Sequence, residues 1–292
     1  MTRWKLEKCS QYDFNTNPQS LKTMKHSLIL DRIKYLILGP GLICTTSLVM
    51  AQNTYTINDT TADAMLSGQN PTLNYGVAGT LAISPASSAK GAFDSVLMFN
   101  TAAAVSQFNT SYGAGNWTIT GLTLSLASNF GTQGTQPTSG ILNTVNGGSF
   151  GIDWLADDSW VEGAGGGNGA ANGAVDFNSI SSLLAPGYDS LGTYTYTPPG
   201  NNVYANYSLS LDANLVSDAA AGGDVSLYFY AADNQVGYVF NSKDFTGNPS
   251  NHPELTFTVT ATPEPSTISL FVAALGGFLL LRRQRAKLEL KA

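Results

Sequence analysis

A period of two restricts this chain more than any other feature. In Trp117–Leu126, Leu122, Leu124 and Leu126 alternate with Thr123 and Ser125, and Ile119 joins them across a change of phase at Gly121. Val225, Leu227 and Phe229 alternate with Ser226 and Tyr228. Leu255, Phe257 and Val259 alternate with threonines, and Tyr207, Leu209 and Leu211 with serines. Successive side chains of a strand point to opposite faces, so each run predicts a strand with one buried face. Gly121 is where a β-bulge would absorb the slip. Shorter runs of the same kind occur at 55–57, 81–84, 95–99, 141–145, 192–196 and 238–241. With Gly, Asn, Ser and Thr between them, these runs predict an all-β fold, an antiparallel jelly-roll-like β-sandwich over residues 52–261.

Helical signals are few; residues 180–184 and 213–220 could each form a turn. No unit of 20–50 residues recurs, which disfavours a solenoid or propeller. Two insertions, 128–140 and 163–173, are rich in glycine and polar residues. They can bury little apolar area and are expected to be mobile surface loops. The second lacks the Lys-Ser/Thr step of a phosphate loop.

Composition excludes several chemistries from residues 52–261. Both cysteines, Cys9 and Cys44, lie upstream, so this region has no disulfide or thiol chemistry. Its one histidine, His252, cannot supply a multi-histidine metal site, and a Ser–His–Asp triad is a poor fit. Two lysines, Lys90 and Lys243, face thirteen aspartates and two glutamates, a balance of −13 that the whole-chain value of −6 conceals. A surface this acidic repels phosphate backbones, which argues against nucleic acid as a partner, and suits divalent cations.

The cations are concentrated at the two ends. Near the C-terminus, Thr262-Pro263-Glu264-Pro265 precedes a fourteen-residue run, Ile268–Leu281, whose one polar residue is Ser269; Arg282, Arg283 and Arg285 follow. Fourteen residues fall short of the ~20 of a perpendicular span. Flanking residues and the arginine stems close most of the gap, predicting a short transmembrane helix with its basic stop on the cytoplasmic side. Near the N-terminus, Lys25, Arg32 and Lys34 precede an apolar segment, 35–50, that ends Val49-Met50-Ala51. This reads as a secretory signal peptide cut between Ala51 and Gln52. Residues 1–23 read as an extension upstream of a better start at Met24. Cys44 offers a lipoprotein alternative, weakened by the bulky Ile43 before it.

The Pro263-Glu264-Pro265 motif, the apolar span and the arginine cluster, in that order, resemble a PEP-CTERM sorting signal. The resemblance implies recognition by an exosortase, a membrane protease-transpeptidase, in a bacterium that makes extracellular polysaccharide. With signal peptidase acting at the other end, it implies transient inner-membrane anchoring and then delivery to the cell surface or matrix. The middle region resembles, in short pieces, the DNRLRE-type domain, a secreted β-sandwich grouped with carbohydrate-binding modules. The pieces are residues 63–76, Ser95–Asn100, Gly121–Leu126, Asp158-Ser-Trp-Val-Glu162, and residues 239–244 with 252–257. The family's arginine before the early strand is missing, since Ala92-Phe93-Asp94 stands there, and its namesake motif is not recognisable.

Candidate site residues cluster in Asp153–Glu162. If this is a loop, Trp154 or Trp160 could stack on a sugar ring while Asp158 and Glu162 accept hydrogen bonds from its hydroxyls, with Tyr75 as a further platform. The alternative is that the indoles pack the core and the acids face water. Asp153 and Asp157, with Asp158, could hold a structural calcium, although the alternate spacing of an EF-hand loop is missing. Asp157 and Glu162 could be read as a glycosidase acid pair. The expectation is an exported, non-catalytic surface or matrix protein associated with exopolysaccharide, with no catalytic residue or obligatory cofactor. A carbohydrate-binding module and a polysaccharide-acting enzyme are the alternatives.

Overall fold

The computed structural model describes residues 52–129, 141–165, 168–169, 174–247 and 251–262, with 275–277 and 282 beyond them. Its strands fall into two principal sheets. The first contains β1 (Gln52–Ile57), β6 (Trp117–Ala127), β10 (Tyr204–Ser208) and β13 (Glu254–Ala261), in the order β1-β13-β6-β10. The second contains β2 (Ala62–Ser67), β5 (Phe93–Asn100), β7 (Gly148–Leu155), β9 (Tyr188–Tyr196) and β11 (Asp224–Ala231), in the order β2-β5-β11-β7-β9. Two small ribbons pair β4 (Thr80–Ile83) with β12 (Tyr238–Asn241) and β3 (Leu73–Asn74) with β8 (Asn168–Gly169). All these pairings are antiparallel, and the chain is all-β with a few short helices.

The alternation seen in the sequence builds the core between the sheets. Leu122, Leu124, Phe257 and Val259 from the first sheet join Leu97, Phe99, Phe150, Leu227 and Phe229 from the second in one apolar cluster. Rings cross the gap: Phe150 meets Tyr207 edge-on with centroids 5.1 Å apart. The phase change at Gly121 is a bulge. Thr258 faces Gly121 and Val259 faces Ile119, leaving Thr120 as the extra residue.

The second sheet is also covered on its other face. Ala64, Leu66, Val96, Met98, Leu155 and Tyr228 pack there beneath Trp160, Val175 and Leu183. Leu183 belongs to α2 (Ile180–Leu184), which follows a 3-10 turn capped by Asp176. Burial on both faces erases the period of two. That is why β2 and most of β7, whose residues are buried in unbroken runs, do not stand out in the sequence.

The expected helical turn at 213–220 is α3 (Ala213–Ala221), started by the Asp212 carboxylate accepting from Asn214 N–H at 2.7 Å and ended by Gly222 at φ 81°. A further helix, α1 (Ala102–Tyr112), was not predicted; it buries Ala104 and Phe108, with Phe108 against Trp117 and Phe257. Two expectations fail. Residues 141–145 form no strand, although Leu142 and Val145 are buried. Leu211 is 41% exposed because β10 ends at Ser208.

The glycine-rich insertion is not wholly a free loop either. Gly165 is buried, and its N–H donates to Asn74 Oδ1 at 2.9 Å. Gly163 has φ 80°, and a Cβ there would stand 2.6 Å from that of Ala174, so glycine is required on two counts. Most of the 128–140 insertion, the signal peptide assigned to 1–51, the Pro263-Glu264-Pro265 motif and Arg283 and Arg285 lie outside the described residues, as does most of the apolar run. No helix among the described residues is long and apolar enough to cross a membrane.

Candidate functional site

The segment 153–162 does not form the expected single loop. Asp153 and Trp154 stand on β7, where consecutive side chains face opposite ways. Trp154 turns into the core between the sheets, 9% exposed, and its Nε1–H donates to Asp218 Oδ2 on α3 at 2.9 Å. Trp160 packs on the outer face of the same sheet, 8% exposed, and donates to Ser226 Oγ at 2.9 Å. Two buried indoles on opposite sides of one sheet cannot form a sugar platform, so the packing alternative is the correct one for both. Tyr75 is half-buried against the inner cluster.

The proposed calcium set is likewise dispersed. Asp153 is buried, with its Oδ1 3.4 Å from the Tyr230 hydroxyl. Asp157 Oδ1 accepts from Ser159 N–H at 2.8 Å and from the Ser159 hydroxyl at 2.6 Å, closing a local turn. Burial pushes the Asp158 carboxyl up to about 6. His252 is likewise engaged, with Nδ1 3.1 Å from Asp59 Oδ2 and Nε2 3.1 Å from Phe245 O.

Glu162 is the predicted residue that reaches a polar cluster, and its companions were missed. Glu162 Oε1 accepts from Asp63 N–H at 3.2 Å, and Glu162 Oε2 lies 3.1 Å from Lys243 Nζ. The same ammonium is 3.3 Å from Asp244 Oδ2. Asp63, fully buried on β2, accepts through Oδ2 from Lys243 N–H at 2.8 Å and from Thr60 Oγ1 at 2.9 Å. Its Oδ1 is buried with no hydrogen-bond partner. Desolvation lifts the Asp63 carboxyl to about 7 despite those two donors. Ligand-type oxygens of Asp63, Glu162 and Asp244 all lie within 4.8 Å of one another, and this is the metal-capable grouping of three acids among the described residues.

Local chain geometry brings these groups together. β2 carries Asp63. The Asn74 side chain holds the Glu162 segment, donating to Glu162 O at 2.6 Å and to Val175 O at 2.8 Å. Gly76 packs so closely on Glu162 that an added Cβ would stand 2.7 Å from its Cγ. The end of β12 leads into Lys243 and Asp244, and Ser242 N–H donates to Gly79 O at 3.3 Å. One signal in the sequence marked Asp63, an acid inside the apolar run Ala62-Asp63-Ala64-Met65-Leu66. Nothing marked its partners, because Asp63 lies 99 residues from Glu162 and 180 from Lys243. No protein-family model matches the chain, and no curated protein matches its sequence.

Proposed function

We propose that this chain is an exported, non-catalytic protein of the cell surface or extracellular matrix, a jelly-roll-like sandwich of DNRLRE-like type delivered by an exosortase-type system. The observation that carries the reading is the order of features after the fold closes. The last strand among the described residues, β13, ends at Ala261, and in the sequence Pro263-Glu264-Pro265, the apolar run and the arginines follow at once. The proposed address thus begins directly after the last described strand. A scaffold role within exopolysaccharide is supported by the use the fold makes of Trp154 and Trp160, which serve packing rather than an open binding face. The test is fractionation of an exosortase-bearing host expressing the chain. The wild type is expected at the surface or in the medium, and replacement of Pro263, Glu264 and Pro265 by alanine is expected to hold it in the inner membrane. Wild-type chain recovered intact from the cytosol would end this reading.

One observation favours the carbohydrate-binding alternative. Tyr188 opens the edge strand β9, pairs with Leu155 of β7 and is 54% exposed. An exposed ring at a sheet edge suits the apolar face of a sugar. Glycan binding that is lost with Tyr188→Ala would move the assignment from scaffold to binding module.

A further inference from the structure

From the Asp63–Glu162–Asp244 cluster we infer a calcium site in which the ion takes the place of the Lys243 ammonium. Three independent observations support it. First, the oxygens lie within 4.8 Å of one another, inside the roughly 5 Å that separates opposite oxygens of a shell with 2.3–2.6 Å bonds. Second, Asp63 is fully buried, and its Oδ1 is an acceptor with no donor. Its Oδ2 is already held by Lys243 N–H and Thr60 Oγ1, so Oδ1 is the oxygen left for an ion. A buried oxygen of this kind is costly unless a proton or cation meets it. Third, Lys243 Nζ rests on Glu162 Oε2 and Asp244 Oδ2, so a cation already meets the other two carboxylates of the cluster.

One ammonium against three carboxylates leaves the cluster under-neutralised. A divalent ion supplies the second charge and reaches the third oxygen. The exchange is mechanically simple, because Lys243 and Asp244 keep 22% and 32% side-chain exposure and the lysine stem is flexible. The all-oxygen donor set selects a hard cation. Calcium is favoured over magnesium, which demands near-ideal octahedral geometry on shorter bonds. Thr80, which pairs with Asn241 and whose Oγ1 is also buried without a partner, adjoins the Lys243 segment. The ion would join β2, the 162 segment and the end of β12, three parts of the chain that have no disulfide to hold them.

Calorimetric titration of the chelator-treated full-length chain with calcium chloride tests the inference. One ion per chain is expected, with magnesium much weaker. Asp244→Asn should weaken calcium binding by about tenfold or more, as expected for loss of one ligand charge. Lys243→Met should tighten it by about tenfold, since the competing charge is gone. The lysine arm separates this site from an adventitious acidic surface, where removing a lysine elsewhere would change little. Asp63→Asn should abolish binding; if that buried change prevents folding, the two partly exposed variants still decide. Absence of calcium binding by the wild type at about 5 mM would overturn the site, as that exceeds the weak end of extracellular calcium modules. Binding unmoved by either Asp244→Asn or Lys243→Met would overturn it too, as would weaker binding by Lys243→Met.

Discussion

The two faces of the β2-β5-β11-β7-β9 sheet come from the same strands and solve burial differently. The inner face is largely apolar: Leu97, Phe99, Leu227, Phe229, Phe150 and Ile152 meet the opposite sheet with almost no exposed surface. The outer face is laced with polar groups beneath its cover. Tyr228 Oη donates to Asp94 Oδ2 at 2.7 Å, Trp160 donates to Ser226, and the Tyr228 and Tyr230 rings stack 5.6 Å apart. Strand alternation alone makes the first face. The second needs Trp160, Val175 and Leu183 laid over it, and buried polar groups there are met by specific partners. The inner face therefore owes its stability to area and packing, and the outer face to particular pairs as well.

The largest expected effect probes the inner face. Phe229→Ala empties a fully buried ring position between two sheets and should cost about 3–5 kcal/mol in urea unfolding. A loss below about 1 kcal/mol would show that the inner cluster relaxes like a loose surface layer.

The next concerns pH on the outer face. Burial raises the Asp94 carboxyl to about 6 from 3.8, overcoming the Tyr228 hydrogen bond. The folded chain then holds this proton more tightly than the unfolded chain. The resulting stabilisation is fully present below about pH 4 and is lost as pH rises through about 6, up to about 3 kcal/mol in all. Between pH 5 and pH 7.5 the share from Asp94 is about 1 kcal/mol. Asp94→Asn should flatten the pH slope of the urea midpoint by that amount, and an unchanged slope would show that Asp94 does not hold its proton in the fold. The inner face, with no titrating pair of this kind at Phe229, should leave the slope of Phe229→Ala unaltered.

The smallest effect separates a pair from the area around it. Trp160→Phe keeps most of the apolar cover and removes the bond to Ser226. It should cost about 1 kcal/mol of packing and hydrogen bonding together. A cost near zero would mean that the outer polar pairs contribute no more than their surface area.

What was legible in the chain follows the same division. β6, β11 and β13 were readable because one of their faces is regular, and the bulge because Gly121 breaks that regularity. β2 and β7 were not, since burial on both sides leaves no alternation to see. α1 was missed because Ala102-Ala-Ala-Val-Ser-Gln-Phe carries a weak apolar stripe, and its place is set by Phe108 meeting Trp117 and Phe257. Of the candidate site residues, Glu162 was found and assigned a sugar-binding role. For Trp154 and Trp160 the sequence left stacking on a sugar and packing in the core both open, because the partners that satisfy each indole N–H, Asp218 and Ser226, lie far away in the chain.

The amino-acid sequence by itself determined that the middle of this chain is a cysteine-poor, acidic all-β body with apolar, cation-bearing segments on either side. Those properties depend on spacing and charge between near neighbours. Only the tertiary structure decided which acids are buried, which indoles are hidden, and that Asp63, Glu162, Lys243 and Asp244 share one small volume. The physical reason is range. A strand's pleat is set residue by residue, whereas the desolvation of Asp63 and the charges around it exist only once segments far apart in the chain have closed upon one another.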